Sequence, residues 1–255
     1  MSSPNRRDLL RAALALPLAL GARRARAMGD AEKFRVVALE YSGNWQPRPT
    51  ALRRMLWEVD KRTSIDVKLE ATSVRLGAPA MFRHPFLYLA GDRAFPALTE
   101  DEVTRLRQHL QLGGFLVVDS AEGRAGGGFD QSVRRLAARL LPAAPMARLA
   151  EDHVVYKSFY LLREAPGRLL TVPWLEAVEH DGRAALVYCQ NDLGGAWARD
   201  DFGQWEHEVS PGGERQREMA FRVGVNLAMY ATCLDYKTDQ VHVPFILRRR
   251  RWQAP

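Results

Sequence analysis

Residues 85–119 read PFLYLAGDRAFPALTEDEVTRLRQHLQLGGFLVVD. Two nearly continuous apolar runs, Pro85 to Gly91 and Phe115 to Asp119, frame a helix signal. Neither run alternates polar with apolar, so each suits a strand covered on both faces. Between them Thr99 is placed to cap a helix, with Glu102 three residues on, and the pattern stops at Gly113-Gly114. Strand, helix and strand in so short a stretch predict two parallel neighbours joined by a crossover helix.

The same rhythm continues outward. Phe34 to Tyr41 reads as a first strand ended by Ser42-Gly43-Asn44, and Pro49 to Asp60 as a helix with Leu52, Met55, Leu56 and Val59 on one side. Ile65 to Glu70 alternates like a strand. A glycine-rich loop, Glu122 to Gly128, leads into a helix over Phe129 to Leu141 that Pro142 closes. The second half is less regular: Leu149 to Tyr160 reads as extended, Ala184 to Cys189 as a strong strand, and Glu214 to Leu234 as a long helix. Asn226 lies among that helix's apolar residues, where a buried amide needs partners, so it is expected to donate to a neighbouring loop. The reading is an α/β domain with a mainly parallel sheet.

Residues 1–27 stand apart. Arg6-Arg7 precedes an apolar run from Ala12 to Ala22, interrupted by Pro17 and followed by Ala25-Arg26-Ala27, the order of a twin-arginine export signal. The run is short of the roughly 20 residues a membrane span needs, so removal is expected and with it a periplasmic or exported location. The expected layout is a signal at 1–27, one domain at 28–240 and a basic tail at 241–255. Six arginines and one aspartate leave with the signal, so a formal charge of +7 falls to +2. The basic balance is thus poor evidence for nucleic-acid binding. Arg248, Arg249, Arg250 and Arg251 before Trp252 offer a contact to anionic lipid, or a merely solvated terminus. Cys189 and Cys233, the only two cysteines, exclude a disulfide scaffold; one bridge or two buried thiols both fit.

Several ordered motifs resemble a bacterial domain-of-unknown-function family, numbered 4159. They are Tyr41-x-x-Asn44-Trp45, His84-Pro85-Phe86-Leu87-Tyr88-Leu89-x-Gly91, Gly113-Gly114-Phe115-Leu116-Val117-Val118-Asp119, Asp152-His153-x-x-Tyr156, Asn191-Asp192-Leu193-Gly194 and Phe221-Arg222-x-Gly224-x-Asn226. The resemblance implies a flavodoxin-like three-layer sandwich of the class I glutamine-amidotransferase-like kind, without an established activity. It also implies envelope partners, since relatives occur within membrane proteins and near genes for MoxR-type ATPases and von Willebrand-type proteins. Working amidotransferases carry a cysteine on a strand-to-helix elbow beside a histidine. Here the turn after the Phe115 strand presents Asp119-Ser120-Ala121-Glu122-Gly123, and Cys189-Gln190-Asn191 lacks an elbow's glycines. Amidotransfer is not expected.

Among candidate groups, Asp119 ends an apolar strand, where a carboxylate must find a ligand or donors, so it serves either a site or a cap on the glycine-rich loop. His153 suits a general base or metal ligand, or a structural hydrogen bond. His84, at a strand's entrance, reads as structural. Asp119, His153 and Asp192 offer metal-ligand chemistry, yet no local metal signature accompanies them, so neither a metal nor a cofactor is expected. Asn44, Trp45, Asn191, Asp192 and Trp197 have the amides, carboxylate and aromatic faces that hold a polar ligand such as a glycan. The expectation is an exported binding or assembly module with a pocket around Asp119, His153, Asn191 and Asp192. The alternative is a hydrolase using Asp119 and His153 as acid and base, with or without a metal.

Overall fold

The computed structural model describes residues 33–234, with side chains to residue 232. The expected export signal, the arginine tail and the Cys233 side chain lie outside the described residues. Seven strands form one sheet in the order β2-β1-β3-β4-β7-β6-β5. They are β1 (Val37–Glu40), β2 (Thr72–Arg75), β3 (Phe86–Gly91), β4 (Phe115–Ser120), β5 (Ala147–Arg148), β6 (Glu176–His180) and β7 (Arg183–Cys189). The first four and β7 run parallel, while β6 lies antiparallel to both β7 and β5. Five α-helices accompany them among the described residues: α1 (Ala51–Arg62), α2 (Glu100–Gln111), α3 (Gly128–Leu140), α4 (Leu193–Trp197) and α5 (Gly213–Leu234).

Successive strand residues point to opposite faces, and both faces are covered. Ala38, Phe86, Tyr88, Phe115, Val117, Val187 and Cys189 pack with α1, α4 and α5. Val37, Leu39, Leu87, Leu89, Leu116, Val118 and Leu186 pack with α2 and α3. This double burial explains why β3, β4 and β7 read as unbroken apolar runs. The expected cap forms: the Thr99 hydroxyl accepts the Glu102 N–H at 3.3 Å, and the Glu102 carboxylate accepts the Thr99 N–H at 2.8 Å.

The first edge strand lies later than expected. Ile65 to Glu70 supplies only a bridge between Phe34 and Val67, because the residues that pair along β1 are Thr72 to Arg75. The extended run expected over Leu149 to Tyr160 is instead turns and a short 3-10 segment, Val154–Tyr156. Asn226 organises it, accepting the N–H groups of Phe159 (3.3 Å) and Tyr160 (2.8 Å) and donating to the carbonyls of Val155 and Tyr160, both at 2.9 Å.

At the lower end of the sheet His109 is buried, with Nε2 lacking a hydrogen-bond partner. A Cβ on Gly114 would lie 2.1 Å from that nitrogen, so glycine is required there. Burial, reinforced by Arg183 and opposed by the Pro85 carbonyl, lowers the His109 pKa to about 4. The unfolded chain therefore binds this proton more tightly than the folded one. His109's contribution is complete above about pH 6.5 and is lost as pH falls towards 4, a difference of roughly 3 kcal/mol. Urea unfolding at pH 7 and pH 4.5 should show the His109 share as the difference between the unaltered protein and His109→Gln, the variant losing less stability on acidification.

Candidate functional site

The connection from β1 leads outward to β2 and that from β3 the other way to β4, so the two diverge, and the crevice at their carboxyl ends is where open α/β sheets place ligands. A cleft of about 60 Å³ opens there, with Trp45, Gln46, Arg48, Leu52, Ser73 and Tyr88 among its lining residues. It has room for a few water-sized groups, one ring or edge of a larger ligand.

Behind it lies a buried ionic network. Asp119 stands opposite Cys189 across β4 and β7. Its carboxylate, fully buried, accepts the Tyr88 hydroxyl at 2.6 Å and the N–H groups of Leu193 at 2.9 Å and Gly194 at 2.7 Å. Burial and then the neighbouring Asp192 push its pKa up to about 6, against the pull of those donors. The raised value favours the fold at acid pH and is lost as pH rises through about 6, opposite in sign to His109.

Asp192 follows β7 in the left-handed conformation (φ 55°, ψ 64°) and starts α4. Its buried carboxylate accepts Arg48 Nε at 3.1 Å, Arg48 Nη2 at 2.8 Å and the Gly195 N–H at 2.8 Å, together with Arg168 Nε. A strand, a left-handed residue and a helix form the geometry of a nucleophile elbow, here carrying an aspartate bound by two guanidiniums. The glycines beside it serve contact: a Cβ on Gly194 would lie 3.1 Å from the Tyr88 hydroxyl, and one on Gly195 2.3 Å from Asp192 Oδ2.

The other expected site residues divide. Asn191 is spent on the loop facing it: its Oδ1 accepts Thr171 and Val172 N–H groups at 2.8 and 3.1 Å, and its amide donates to Ala165 and Val172 carbonyls at 2.7 and 2.6 Å. Trp197 is buried and donates to the Ala220 carbonyl at 3.0 Å. Asn44 is exposed, and Trp45 lines the cleft. His153 stands elsewhere. Its Nδ1 accepts the Val155 N–H at 3.2 Å, and its ring is 5.9 Å from that of Tyr230, whose hydroxyl accepts the Ala184 N–H at the start of β7. It therefore lies at the amino end of the strand whose carboxyl end faces Asp119. Burial lowers its pKa, opposed by Glu179 and Asp152.

The fold thus brings Asp119 and Asp192 together and leaves His153 apart. Among the described residues no group of three His, Cys, Asp or Glu side chains is placed to hold a metal. Cys189 is a free thiol, fully buried, and burial and then Asp119 raise its pKa well above the usual thiol range. Such a thiol stays protonated and unreactive at neutral pH. The residues that sequence reading missed are Tyr88, Arg48 and Arg168, with His207 beside them. Burial and then Arg48 lower the His207 pKa, while Asp192 opposes the shift. Arg48 sits between Pro47 and Pro49, a spacing without a local signature for a salt bridge.

The family described as a domain of unknown function, DUF4159, matches residues 35–232, and the chain belongs to it. No curated protein matches the chain. None of the described helices is long and apolar enough to cross a membrane.

Removing the Asp192 carboxylate leaves Arg48 and Arg168 uncompensated and places a residue without a capping group in the left-handed region. Asp192→Ala should therefore cost about 3–5 kcal/mol in chemical denaturation. Arg48→Ala, which leaves Arg168 and the α4 N–H in place, should cost less.

Proposed function

We propose that this chain is an exported, non-catalytic member of the flavodoxin-like, class I glutamine-amidotransferase-like class that binds a polar ligand at the β1–β3 crevice. The ligand is a glycan or a polar segment of an envelope protein. One observation carries the reading: the residue at the elbow, Asp192, is buried and bound by Arg48 and Arg168. A carboxylate neutralised by two guanidiniums and without access to solvent is a poor nucleophile. The separation of Asp119 from His153 likewise withdraws support from an acid–base hydrolase built on that pair.

What stays accessible is the cleft. Trp45 offers an aromatic wall, while Gln46, Thr72 and Ser73 offer amide and hydroxyl groups. Arg48 spends its charge on Asp192, so the lining suits a neutral polar ligand better than an anion. In this reading residues 1–27 form the removable signal, 28–240 the binding domain and 241–255 a basic tail with a weak contact to anionic membrane.

Two measurements test this. Purified mature protein titrated with neutral cell-wall glycans should bind without turnover of ester, glycoside or amide substrates. Trp45→Ala and Ser73→Ala should each weaken that binding about ten-fold while leaving the melting temperature within a degree or two, because neither residue belongs to the ionic network. Turnover abolished by Cys189→Ala or His207→Ala would replace the binding module with an enzyme. Separately, Arg6→Lys with Arg7→Lys should retain the full-length chain in the cytoplasm, as cell fractionation would show; unimpaired export would remove the twin-arginine assignment.

A further inference from the structure

Buried oxygens gather on the face of the sheet opposite Asp119 and Asp192. Among the described residues, the buried side-chain oxygens without a hydrogen-bond partner are Ser120 Oγ, Asp130 Oδ1, Tyr188 Oη and Gln190 Oε1. None of these residues is more than 4% exposed. A buried polar atom left unbonded is costly, so four orphaned in one place call for a common partner.

The sheet explains why they meet. Asp119 pairs with Cys189, so Ser120 ends β4 beside Gln190, and the alternation of a strand turns both towards the side of Tyr188. That side packs with α2 and α3, and Asp130 enters it from the first turn of α3. Burial and then Asp130 raise the Tyr188 pKa, while Ser120 opposes the shift, so the three groups act on one another. Glu176, paired with Tyr188 across β6 and β7, accepts Gln190 Nε2 at 2.6 Å and leaves the amide oxygen free. The four oxygens thus lie together, yet none is near enough to and aligned with another to bond. That spacing is the one ligands take around a centre.

Charge identifies the centre. Arg134 closes the outer side, donating to Glu176 at 3.1 and 2.8 Å and placing its Nε 3.0 Å from Asp130 Oδ1. Asp130 Oδ2 accepts the Gly126 N–H, and Glu122 is spent on the N–H groups of Gly128 and Phe129. Arg148, opposite Glu176 across β5, is paired with Glu151. One guanidinium therefore answers two carboxylates, Asp130 and Glu176. An ordered water would bond the four oxygens and leave that negative charge unanswered. We infer that Ser120, Asp130, Tyr188 and Gln190 bind a monovalent alkali cation, sodium or potassium, where β4, β7 and α3 meet. Hard oxygens with a single carboxylate among them suit such an ion, whereas calcium sites draw on several carboxylates. The cation clamps the strand ends from which the Asp119 and Asp192 network springs, since Ser120 follows Asp119 and Gln190 stands two residues before Asp192. The inference is independent of the cleft and its ligand.

The test follows thermal unfolding of the full-length chain at constant ionic strength, with choline chloride replaced stepwise by sodium or potassium chloride. The melting temperature should climb with the alkali cation, as for any ligand bound only by the folded state, and choline is too large to substitute. Ser120→Ala, which breaks no hydrogen bond, should weaken the apparent affinity at least about ten-fold. Asp130→Asn should abolish the response, and Ser73→Ala in the cleft should leave it unchanged. The sodium-23 resonance should broaden with the unaltered protein, sharpen again on adding potassium, and stay narrow with Asp130→Asn. Equal melting curves in choline, sodium and potassium would overturn the inference and leave the oxygens to water. So would an alkali response that survives Ser120→Ala undiminished, or stabilisation by calcium that neither sodium nor potassium reproduces.

Discussion

The Asp192 carboxylate joins parts of the chain that the sheet alone does not hold together. Arg48 reaches it from the loop after β1, Arg168 from the loop before β6, and the Gly195 N–H from the start of α4. A lone carboxylate buried this deeply would be costly, by several kcal/mol. Three donor groups, two of them cationic, offset the desolvation. The network approaches charge balance because Asp119, the second buried carboxylate, lies within the field of Asp192 and Arg48. The Tyr88 hydroxyl and two backbone donors satisfy its oxygens, so the pair persists as a positioned ionic core.

That core also decides what chemistry the upper rim can perform. Elbow geometry normally lifts a nucleophile into a crevice. Here the same left-handed residue turns its side chain into the protein, where α4 and two arginines compete for its lone pairs. Gly194 and Gly195 keep Tyr88, Arg48 and Arg168 close enough to do this, since a β-carbon at either position meets one of them. Cys189, the neighbouring thiol, is sealed under the network with a raised pKa. The rim therefore joins a strand, a left-handed residue and a helix start around an ion-paired Asp192 and a protonated Cys189 thiol.

The parallel half of the sheet was legible because its signals are local. Thr99 and Glu102 carry their cap within one turn, and β3 and β4 show their double burial as unbroken apolar runs. The β6–β7 hairpin also has a local signal: Asp181-Gly182, at φ 50° and 73°, is a two-residue turn pair ahead of an apolar run. β6 is short and half polar, which leaves the strand signal ahead of that turn weak. The edge register was less visible, since Ile65 to Glu70 alternates as well as Thr72 to Arg75 does and only pairing with β1 chooses between them. The site was the least legible part. Asn191, Asp192 and Trp197 have the composition of a ligand loop, and a loop's composition does not reveal whether its polar groups face out or in. The partners that turn Asp192 inward lie 144 and 24 residues away, at Arg48 and Arg168. Asp119 and His153 looked like a pair only because nothing local showed that they occupy opposite ends of the sheet.

The ionic core also fixes how α1 enters the structure. Arg48 anchors the chain just before α1, where Leu52 walls the cleft while Arg54 and Trp57, stacked on each other, lie on another side of the helix. Glu206 is tied to the same helix start through the Thr50 hydroxyl, which donates to it at 2.7 Å. The helix is clamped at its entry by a buried carboxylate and packed against α5. The clamp therefore positions the cleft wall at Leu52 and the Trp57 side of the same helix together.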